Sequence, residues 1–206
     1  MFRVLGRKTS NNVQKVLWLL AELRLPFRQE DYGGPFGKTN APDYLRLNPH
    51  GTVPTLIDGE VAVWESNTIL RYLANLANEA DETSLYPIDF AARSQVERWM
   101  DWQIGSLSPA FRPLFIALVR DQKTIAEGQP LIAACAPLFK LLDVQLADRK
   151  FMSGDELTLA DVAIGPMLYR WYTLGLAQDD TVNLRAWFER LCERPAFREQ
   201  VMIALA

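Results

Sequence analysis

Residues 48–54 read Asn-Pro-His-Gly-Thr-Val-Pro and lead directly into the apolar segment Pro54 to Asp58. Proline cannot donate a hydrogen bond to a β-ladder, so at the first position of a strand it is tolerated at a sheet edge or as a cis turn. A cis Val53–Pro54 bond would leave the N–H and C=O of Val53 facing outward, free to pair with a bound peptide as an added strand would. The same residues also fit an ordinary Pro-Gly turn without a binding role.

Short apolar segments alternate with amphipathic helices on either side of this loop. Phe2 to Leu5 and Phe27 to Asp31 are predicted strands, and a helix is predicted between them from about Asn12 to Leu23. A strand, a helix and a second strand within about 30 residues form a βαβ unit with a right-handed crossover. A hairpin is predicted around Asp58-Gly59, a dipeptide favoured where a turn needs positive φ. With a helix around Ile69 to Leu76, residues 1–77 follow the order β-α-β-(α)-β-β-α.

Beyond residue 77 the pattern changes. Polar and turn-forming residues dominate the segment 78–89, a composition typical of an exposed linker between two cores. Residues 90–206 carry helical periodicity without strand-like alternation, so this second domain is predicted to be all-helical. The predicted fold class is therefore α/β plus all-α, with a mixed N-terminal domain followed by a helical one.

The composition excludes several classes of protein. The 206 residues include 22 Lys and Arg against 25 Asp and Glu, a net charge of −3, whereas nucleic-acid binding draws its affinity from clustered basic residues. Glu22 ends the first apolar run too early for a signal peptide, and no run approaches the roughly 18 apolar residues of a membrane helix. Two distant cysteines fit reduced thiols in the cytoplasm, and with one histidine they form no usual zinc site. We expect neither a nucleic acid, a membrane nor a metal as partner.

Glu65-Ser66 directly follows the predicted hairpin and opens the next helix. Exposed backbone N–H groups, the Ser66 hydroxyl and the positive end of the helix dipole together make a site suited to a carboxylate, and Glu65 would pair with an ammonium group. The alternative is that Ser66 serves only as a helix cap, a role for which serine is common.

A second helix start, Thr158-Leu159-Ala160-Asp161, lies in the predicted helical domain. The Thr N-cap and the acidic N3 residue form a capping box with Asp in place of the usual Glu. Leu157 and Val162 occupy the N′ and N4 positions of a hydrophobic staple. This motif is structural and implies no chemistry by itself.

In this order and at these separations, the features resemble the cytosolic glutathione S-transferase family, with a bacterial, serine-type (theta- or phi-like) pattern. The resemblance rests on the proline loop, the Glu65-Ser66 pair, the linker, the capped helix at Thr158 and the closing motif Arg194-Pro195-Ala196-Phe197. It implies a thioredoxin-like N-terminal domain that binds glutathione as co-substrate, a helical domain that supplies most of the electrophile pocket, and a homodimer.

The family places a Tyr, Ser or Cys near the end of the first strand to hold the glutathione sulfur as a thiolate. The first Tyr here is Tyr32 and the first Cys is Cys135, so Ser10 is the best match. The alternative is that Ser10 only caps the helix and that Thr9, Asn11 or Asn12 is the donor to the sulfur. An Asn amide can donate the same hydrogen bond. The catalytic candidates are therefore Ser10, Asn12 and Thr9.

The remaining contacts are implied by position in the motifs. Val53 and Pro54 would hold the cysteinyl unit, Glu65 and Ser66 the γ-glutamyl end, and Asp101 would reach the glutathione of a partner subunit. Lys38 and His50 lie in loops that approach the glycine end in similar proteins, although Lys38 also fits a solvated loop charge.

For an apolar electrophile the candidates are Trp102 and Arg112. They accompany an aromatic set that also fits a helical core: Trp99, Phe111, Phe115, Tyr169, Trp171 and Tyr172. The predicted activity is conjugation of the glutathione thiolate to a small hydrophobic electrophile. The alternatives are a non-catalytic binding or assembly protein of the same fold and a glutathione-dependent peroxidase; the sequence does not identify the electrophile.

Overall fold

The computed structural model of the chain describes residues 1–79 and 85–206. Their contacts divide the chain into two compact units: Met1–Tyr86 together with Arg194–Ala204, and Pro87–Glu193 together with Leu205–Ala206. Residues 80–84 of the predicted linker lie outside the described residues. The bounds 1–77, 78–89 and 90–206 remain a prediction from the sequence.

The first unit contains a four-stranded mixed sheet. Its strands are β1 (Phe2–Leu5), β2 (Phe27–Glu30), β3 (Thr55–Asp58) and β4 (Val61–Trp64). They lie in the order β2-β1-β3-β4, with β1 parallel to β2 and antiparallel to β3, and β3 antiparallel to β4. The hairpin turns at Gly59 with a φ of +57°, as the Asp-Gly dipeptide predicts. The predicted strands are confirmed, except that the second ends one residue earlier, at Glu30, and the third begins one residue later, at Thr55.

Helices connect and cover these strands. They are α1 (Asn11–Glu22), a 3₁₀ turn (Gly34–Phe36), α2 (Pro42–Leu47) and α3 (Ser66–Glu79). The α1 helix makes the crossover between the two parallel strands and packs against α3. Its apolar stripe joins sheet side chains in a core that excludes water, which includes Val4, Leu56, Val16, Leu20 and Leu73. The thioredoxin-like order of elements is thus confirmed.

Among its described residues, the regular elements of the second unit are helices, and one isolated β-bridge joins Phe151 and Gly154. Its α-helices are α4 (Phe90–Trp102), α5 (Ser108–Phe115), α6 (Ile125–Gln145), α7 (Leu159–Thr173) and α8 (Val182–Glu193). Two π-helical turns, Gln103–Leu107 and Ile116–Arg120, follow α4 and α5, so the helix predicted near 90–119 is one interrupted helical run. Prolines 109 and 113 lack an N–H group, and a regular α-helical ladder cannot run unbroken through them.

One of these helices, α6, is long and apolar enough to span a membrane by length and composition alone. That criterion is weak for a single helix, because helices of soluble proteins also meet it. The helix carries Pro130 and Pro137 in its interior, and Lys140 near its end pairs with Asp180 at 2.8 Å.

Aromatic rings and one buried carboxylate organise the second unit. Phe139 stacks on Trp171 with ring centroids 4.2 Å apart. Asp161 is fully buried and accepts hydrogen bonds from the backbone N–H groups of Met152 and Thr158, each at 2.9 Å, and from the Trp187 indole at 3.0 Å. Burial raises the pKa of Asp161 to about 6. Asp161, the predicted capping residue, therefore also fixes the loop at Met152 and the Trp187 indole of α8.

The last helix, α9 (Pro195–Gln200), packs on α1 in the first unit. The Trp18 and Phe197 rings meet edge to face at 4.8 Å, and Gln14 Nε2 donates to the Val201 carbonyl at 3.3 Å. The Arg194 guanidinium pairs with Glu22 at the end of α1. By its contacts this segment belongs with the mixed sheet, although the sequence places it in the run of helices from residue 90.

Candidate active site

Ser10 occupies the N-cap of α1, but its hydroxyl makes no capping hydrogen bond. Its backbone carries the cap instead: the Ser10 N–H donates to the Arg7 carbonyl at 3.1 Å, and the Ser10 carbonyl accepts from Gln14 at 2.9 Å. The hydroxyl therefore does not cap the helix through a hydrogen bond, and its role as the thiolate donor stays a prediction. Thr9 and Asn12, both half-buried in the same turn, stay alternative donors.

The loop before β3 contains a cis Val53–Pro54 bond, which is one of the arrangements that the sequence allows. On one side the Thr52 carbonyl accepts hydrogen bonds from the Tyr44 hydroxyl at 2.5 Å and from Asn48 Nδ2 at 2.8 Å. On the other side the Thr55 hydroxyl contacts the same two groups at 2.9 and 3.1 Å. The buried side chains of Tyr44 and Asn48 thus fix Thr52 and Thr55, which lie on either side of the half-buried Val53 and the buried Pro54.

Sequence reasoning did not identify this support. Asn48 begins the loop motif, which was its available signal, whereas Tyr44 lies one helix earlier and only the folded contacts reveal its role. Burial raises the pKa of Tyr44, which keeps its hydroxyl protonated as a donor.

Glu65 and Ser66 lie at the start of α3 with different roles. The Glu65 carbonyl accepts the N–H of Ile69 at 2.9 Å, so Glu65 is the N-cap and Ser66 is the first helical residue. The alternative that Ser66 is merely the helix cap is wrong. Glu65 is exposed with a φ of +67°, whereas Ser66 is buried with 4% of its surface accessible.

Beneath Ser66 lies Lys15 of α1, which the sequence analysis did not single out. Its ammonium is fully buried and donates to Ser66 Oγ at 3.4 Å and to Asn67 Oδ1 at 3.3 Å. The signal in the sequence was a lysine between Val13 and Val16 of the apolar stripe.

Two glycines bring the loop after β2 close to these residues. A Cβ on Gly33 would lie 3.1 Å from Val53 Cγ1, and one on Gly34 would lie 3.1 Å from Arg7 Nε. Both glycines have positive φ, +76° and +56°, which favours residues without a Cβ. The close approach of Gly34 places the Arg7 guanidinium near the start of α1, a cation that the sequence motifs do not identify. The sequence signal for this contact is the Gly33-Gly34 pair.

The candidates for the glycine end lie on exposed loops of the first unit. Lys38 Nζ donates to the Asp31 carbonyl at 3.0 Å and lies 4.9 Å from the centre of the Tyr32 ring. His50 is exposed, and its backbone N–H donates to Asn48 Oδ1 at 3.1 Å. The structure thus gives Lys38 partners in its own loop, and the binding role of both residues stays a prediction.

In the second unit most of the aromatic set forms core. Trp99, Phe111 and Trp171 are each at least nine-tenths buried. Trp102 is half-buried, with its ring 5.3 Å from that of Trp99, whereas Asp101 and Arg112 are exposed. Two of the three residues proposed from this unit are therefore accessible to solvent.

Neither cysteine lies in the first unit. Burial raises the pKa of the Cys135 thiol to about 11, so this group is protonated at neutral pH. Within residues 1–79 and 85–206, no three His, Cys, Asp or Glu side chains are grouped closely enough to hold a metal ion.

Comparison with known families agrees with this arrangement. Residues 9–76 match the family described as "Glutathione S-transferase, N-terminal domain", and residues 105–195 match "Glutathione S-transferase, C-terminal domain". The matched segments cover the α1 turn, the cis-proline loop, the start of α3 and most of the helical unit.

Individual relatives extend the likeness to the full chain. Glutathione S-transferase GstB of Escherichia coli K12 is 40% identical over all of both chains. Glutathione S-transferase 3 of Zea mays is 34% identical over 97% of this chain and 92% of its own. Among solved structures, the theta class glutathione S-transferase of Xanthomonas axonopodis pv. citri, with glutathione bound, superposes with a TM-score of 0.92 at 36% identity over 100% of this chain and 99% of its own.

Proposed function

The chain belongs to the glutathione S-transferase family, and from this premise we propose that it joins the thiolate of glutathione to a small hydrophobic electrophile. The observation that carries the proposal is the Ser10 hydroxyl, which lies at the N-terminus of α1 without a capping bond. The related structure with glutathione bound supports glutathione as the thiol substrate.

The chemistry needs only a stabilised thiolate. A free thiol has a pKa near 8.5, and each unit of depression requires about 1.36 kcal/mol. A hydrogen bond to a charged acceptor contributes roughly 1.5 to 3 kcal/mol, and the positive end of α1 adds about 0.3 to 1 kcal/mol. The hydrogen bond alone would lower the pKa of the glutathione thiol by roughly one to two units, to neutrality or slightly below, and the helix end adds to this shift. No general base is then required, because the proton leaves to solvent.

The tripeptide would lie along the first unit. We assign its cysteinyl unit to Val53 and Pro54, where the backbone of Val53 pairs as an added strand would. Its γ-glutamyl carboxylate would bind at Ser66 and the start of α3, and Glu65 would pair with its ammonium group. Lys38 and His50 are the proposed neighbours of its glycine end.

The sulfur then attacks an electrophilic carbon and an S–C bond forms. Either a leaving group departs with the electron pair of the bond that breaks, or the π pair of an activated double bond moves onto the neighbouring carbon, which then takes a proton from solvent. Positioning of the two substrates supplies the remaining rate acceleration. Trp102 and Arg112 are the proposed contacts of the electrophile. The proposal includes a cytoplasmic homodimer in which Asp101 reaches the glutathione of the partner subunit.

The first test is the pKa of the bound thiol, read from the ultraviolet absorbance of the thiolate across pH. Ser10→Ala should raise this pKa by about one unit or more and lower turnover by about 10- to 150-fold, with a smaller rise in the KM for glutathione. Asn12→Ala and Thr9→Ala are the matched variants. If the thiol pKa in Ser10→Ala equals that in wild type while the thiol pKa in Asn12→Ala is raised, the thiolate donor is Asn12 rather than Ser10.

A panel of aryl halides, epoxides and hydroperoxides then separates conjugation from peroxide reduction, which uses the same thiolate. Turnover of hydroperoxides alone would favour the peroxidase. A chain that does not bind immobilised glutathione would instead be a binding or assembly protein of this fold.

A further inference from the structure

Lys15 is a charged side chain in the interior of the first unit. None of its surface is accessible, and its ammonium lies against Ser66 Oγ at 3.4 Å and Asn67 Oδ1 at 3.3 Å. Lysine is rarely fully buried, because removing its charge from water costs several kcal/mol. Two of the groups that this ammonium contacts, a hydroxyl and an amide oxygen, belong to the start of α3, where the γ-glutamyl end of glutathione is proposed to bind.

The direction of the hydrogen bond determines what the Ser66 hydroxyl can do next. An ammonium group donates only, so Ser66 Oγ must accept from Lys15. The proton of the hydroxyl then points away from the ammonium and is available to another acceptor. Lys15 thereby presets Ser66 as a hydrogen-bond donor.

The charge acts in the same direction. Ser66 is the first residue of the 14-residue helix α3, whose N-terminus carries the positive end of the helix dipole. A buried ammonium one hydrogen bond away adds a full charge in surroundings that screen it less than water does. The combined field favours an anionic group outside Ser66.

We propose that Lys15 is a positioning residue for glutathione: it fixes the Ser66 hydroxyl as a donor to the γ-glutamyl carboxylate and places a positive charge behind that contact. This inference rests on the proposed function. Lys15 acts through Ser66 and is separate from the thiolate donor at Ser10, so it governs binding of the tripeptide rather than the step at sulfur.

The test compares two ligands by calorimetric titration: glutathione, and 4-aminobutyryl-cysteinyl-glycine, which lacks the γ-glutamyl carboxylate. Wild type should prefer glutathione by about tenfold or more, and Lys15→Met should lose most of that preference because hydrogen bonds to charged groups are worth this much. Affinity for the analogue should change by less than about threefold, since a buried charge can be replaced by an apolar chain of similar length. Lys15→Arg keeps the charge and is expected to restore the preference.

Ser66→Ala provides the coupling control. In that background the hydroxyl is gone, so Lys15→Met should have less effect on the preference than it has in wild type. If Lys15→Met does not fold, Lys15→Gln, which is also neutral, takes its place with the same expectation.

An equal loss of affinity for both ligands would mean a merely structural lysine, and a fully retained preference would also overturn the proposal. Wild type that binds both ligands equally would exclude a carboxylate contact at Ser66 while leaving glutathione as substrate. Wild type that binds neither ligand would overturn the proposed function itself, so the two failures are distinct.

Discussion

Glu65 holds its backbone at a φ of +67° at the point where the chain enters α3. This left-handed conformation costs a residue with a Cβ roughly 1 to 2 kcal/mol. A glycine would meet the same backbone requirement and also serve as an N-cap. The cost of retaining a carboxylate here is explained if the carboxylate binds the ammonium group of glutathione.

Glu65→Gly should therefore increase stability and weaken binding together. We expect the free energy of unfolding to rise by up to about 1 kcal/mol, and the affinity for glutathione to fall about tenfold as a charged contact is lost. Urea unfolding and calorimetric titration measure the two effects.

Arg24→Gly is the matched control, because Arg24 is exposed in the same unit with a φ of +53°. It should increase stability without changing the affinity for glutathione. Unchanged affinity in Glu65→Gly would remove Glu65 from the binding site.

Asp161 makes the stability of the second unit depend on pH. Burial raises its pKa to about 6, whereas an unfolded aspartate has a pKa near 3.9. The folded state therefore binds this proton more tightly, and the stabilisation that results is present at low pH and is lost as pH rises through about 6.

Asp161→Asn removes this titration. The stability of wild type relative to the variant should fall by about 1 kcal/mol between pH 5 and pH 7.5. Asp180→Asn, at an exposed carboxylate of the same unit, is the control without burial. Parallel stability curves for wild type and Asp161→Asn would contradict a raised pKa.

Among the elements, the loop between α2 and β3 depends on the two side chains that hold Thr52. Tyr44→Phe removes one of the two donors to the Thr52 carbonyl. We expect a loss of about 1 kcal/mol in stability and a rise of about threefold in the KM for glutathione with kcat nearly unchanged, because Val53 would be held less firmly.

The control is Tyr72→Phe, since Tyr72 donates to Asp58 Oδ2 at 2.8 Å elsewhere in the same unit. It removes a comparable hydroxyl bond and should leave the KM for glutathione unchanged. A KM that rises equally in both variants would indicate general loosening rather than support of Val53.

Elements with local signals could be predicted from the sequence. The strands and the Asp58-Gly59 hairpin follow from residues that are adjacent in the chain, and the cis Val53–Pro54 bond is one of the arrangements that its local sequence allows. The buried ammonium of Lys15 could not be predicted, because its acceptors lie 51 and 52 residues further along. The sequence also allows Ser66 to be the helix cap, because it does not indicate which of two adjacent residues has the positive φ.

At the scale of the whole molecule, the sequence assigns all helices after residue 90 to one domain, whereas the contacts of the structure place α9 with the first unit. The last helix buries Phe197 completely, against Trp18. Helical periodicity reveals an apolar face but does not reveal which partner covers it, so this contact required the structure.

Phe197→Ala should destabilise the first unit by about 3 to 5 kcal/mol, because it leaves a cavity against α1. Hydrogen exchange should quicken in α1 and change less in α7. Phe139→Ala, which opens a cavity beside Trp171, should show the reverse pattern. Unchanged exchange in α1 of Phe197→Ala would show that α9 contributes little to this unit.

The docking of residues 194–204 on the first unit also sets an order for biosynthesis. A ribosome must translate residues 87–193 before it reaches this segment, which takes roughly 5 to 20 seconds at about 5 to 20 residues per second. Throughout that interval α1 of the nascent chain lacks its packing against α9. The first unit is thus synthesised first but completed last, and a transcript truncated near its 3′ end would yield a polypeptide in which the Trp18 ring lacks its contact with Phe197.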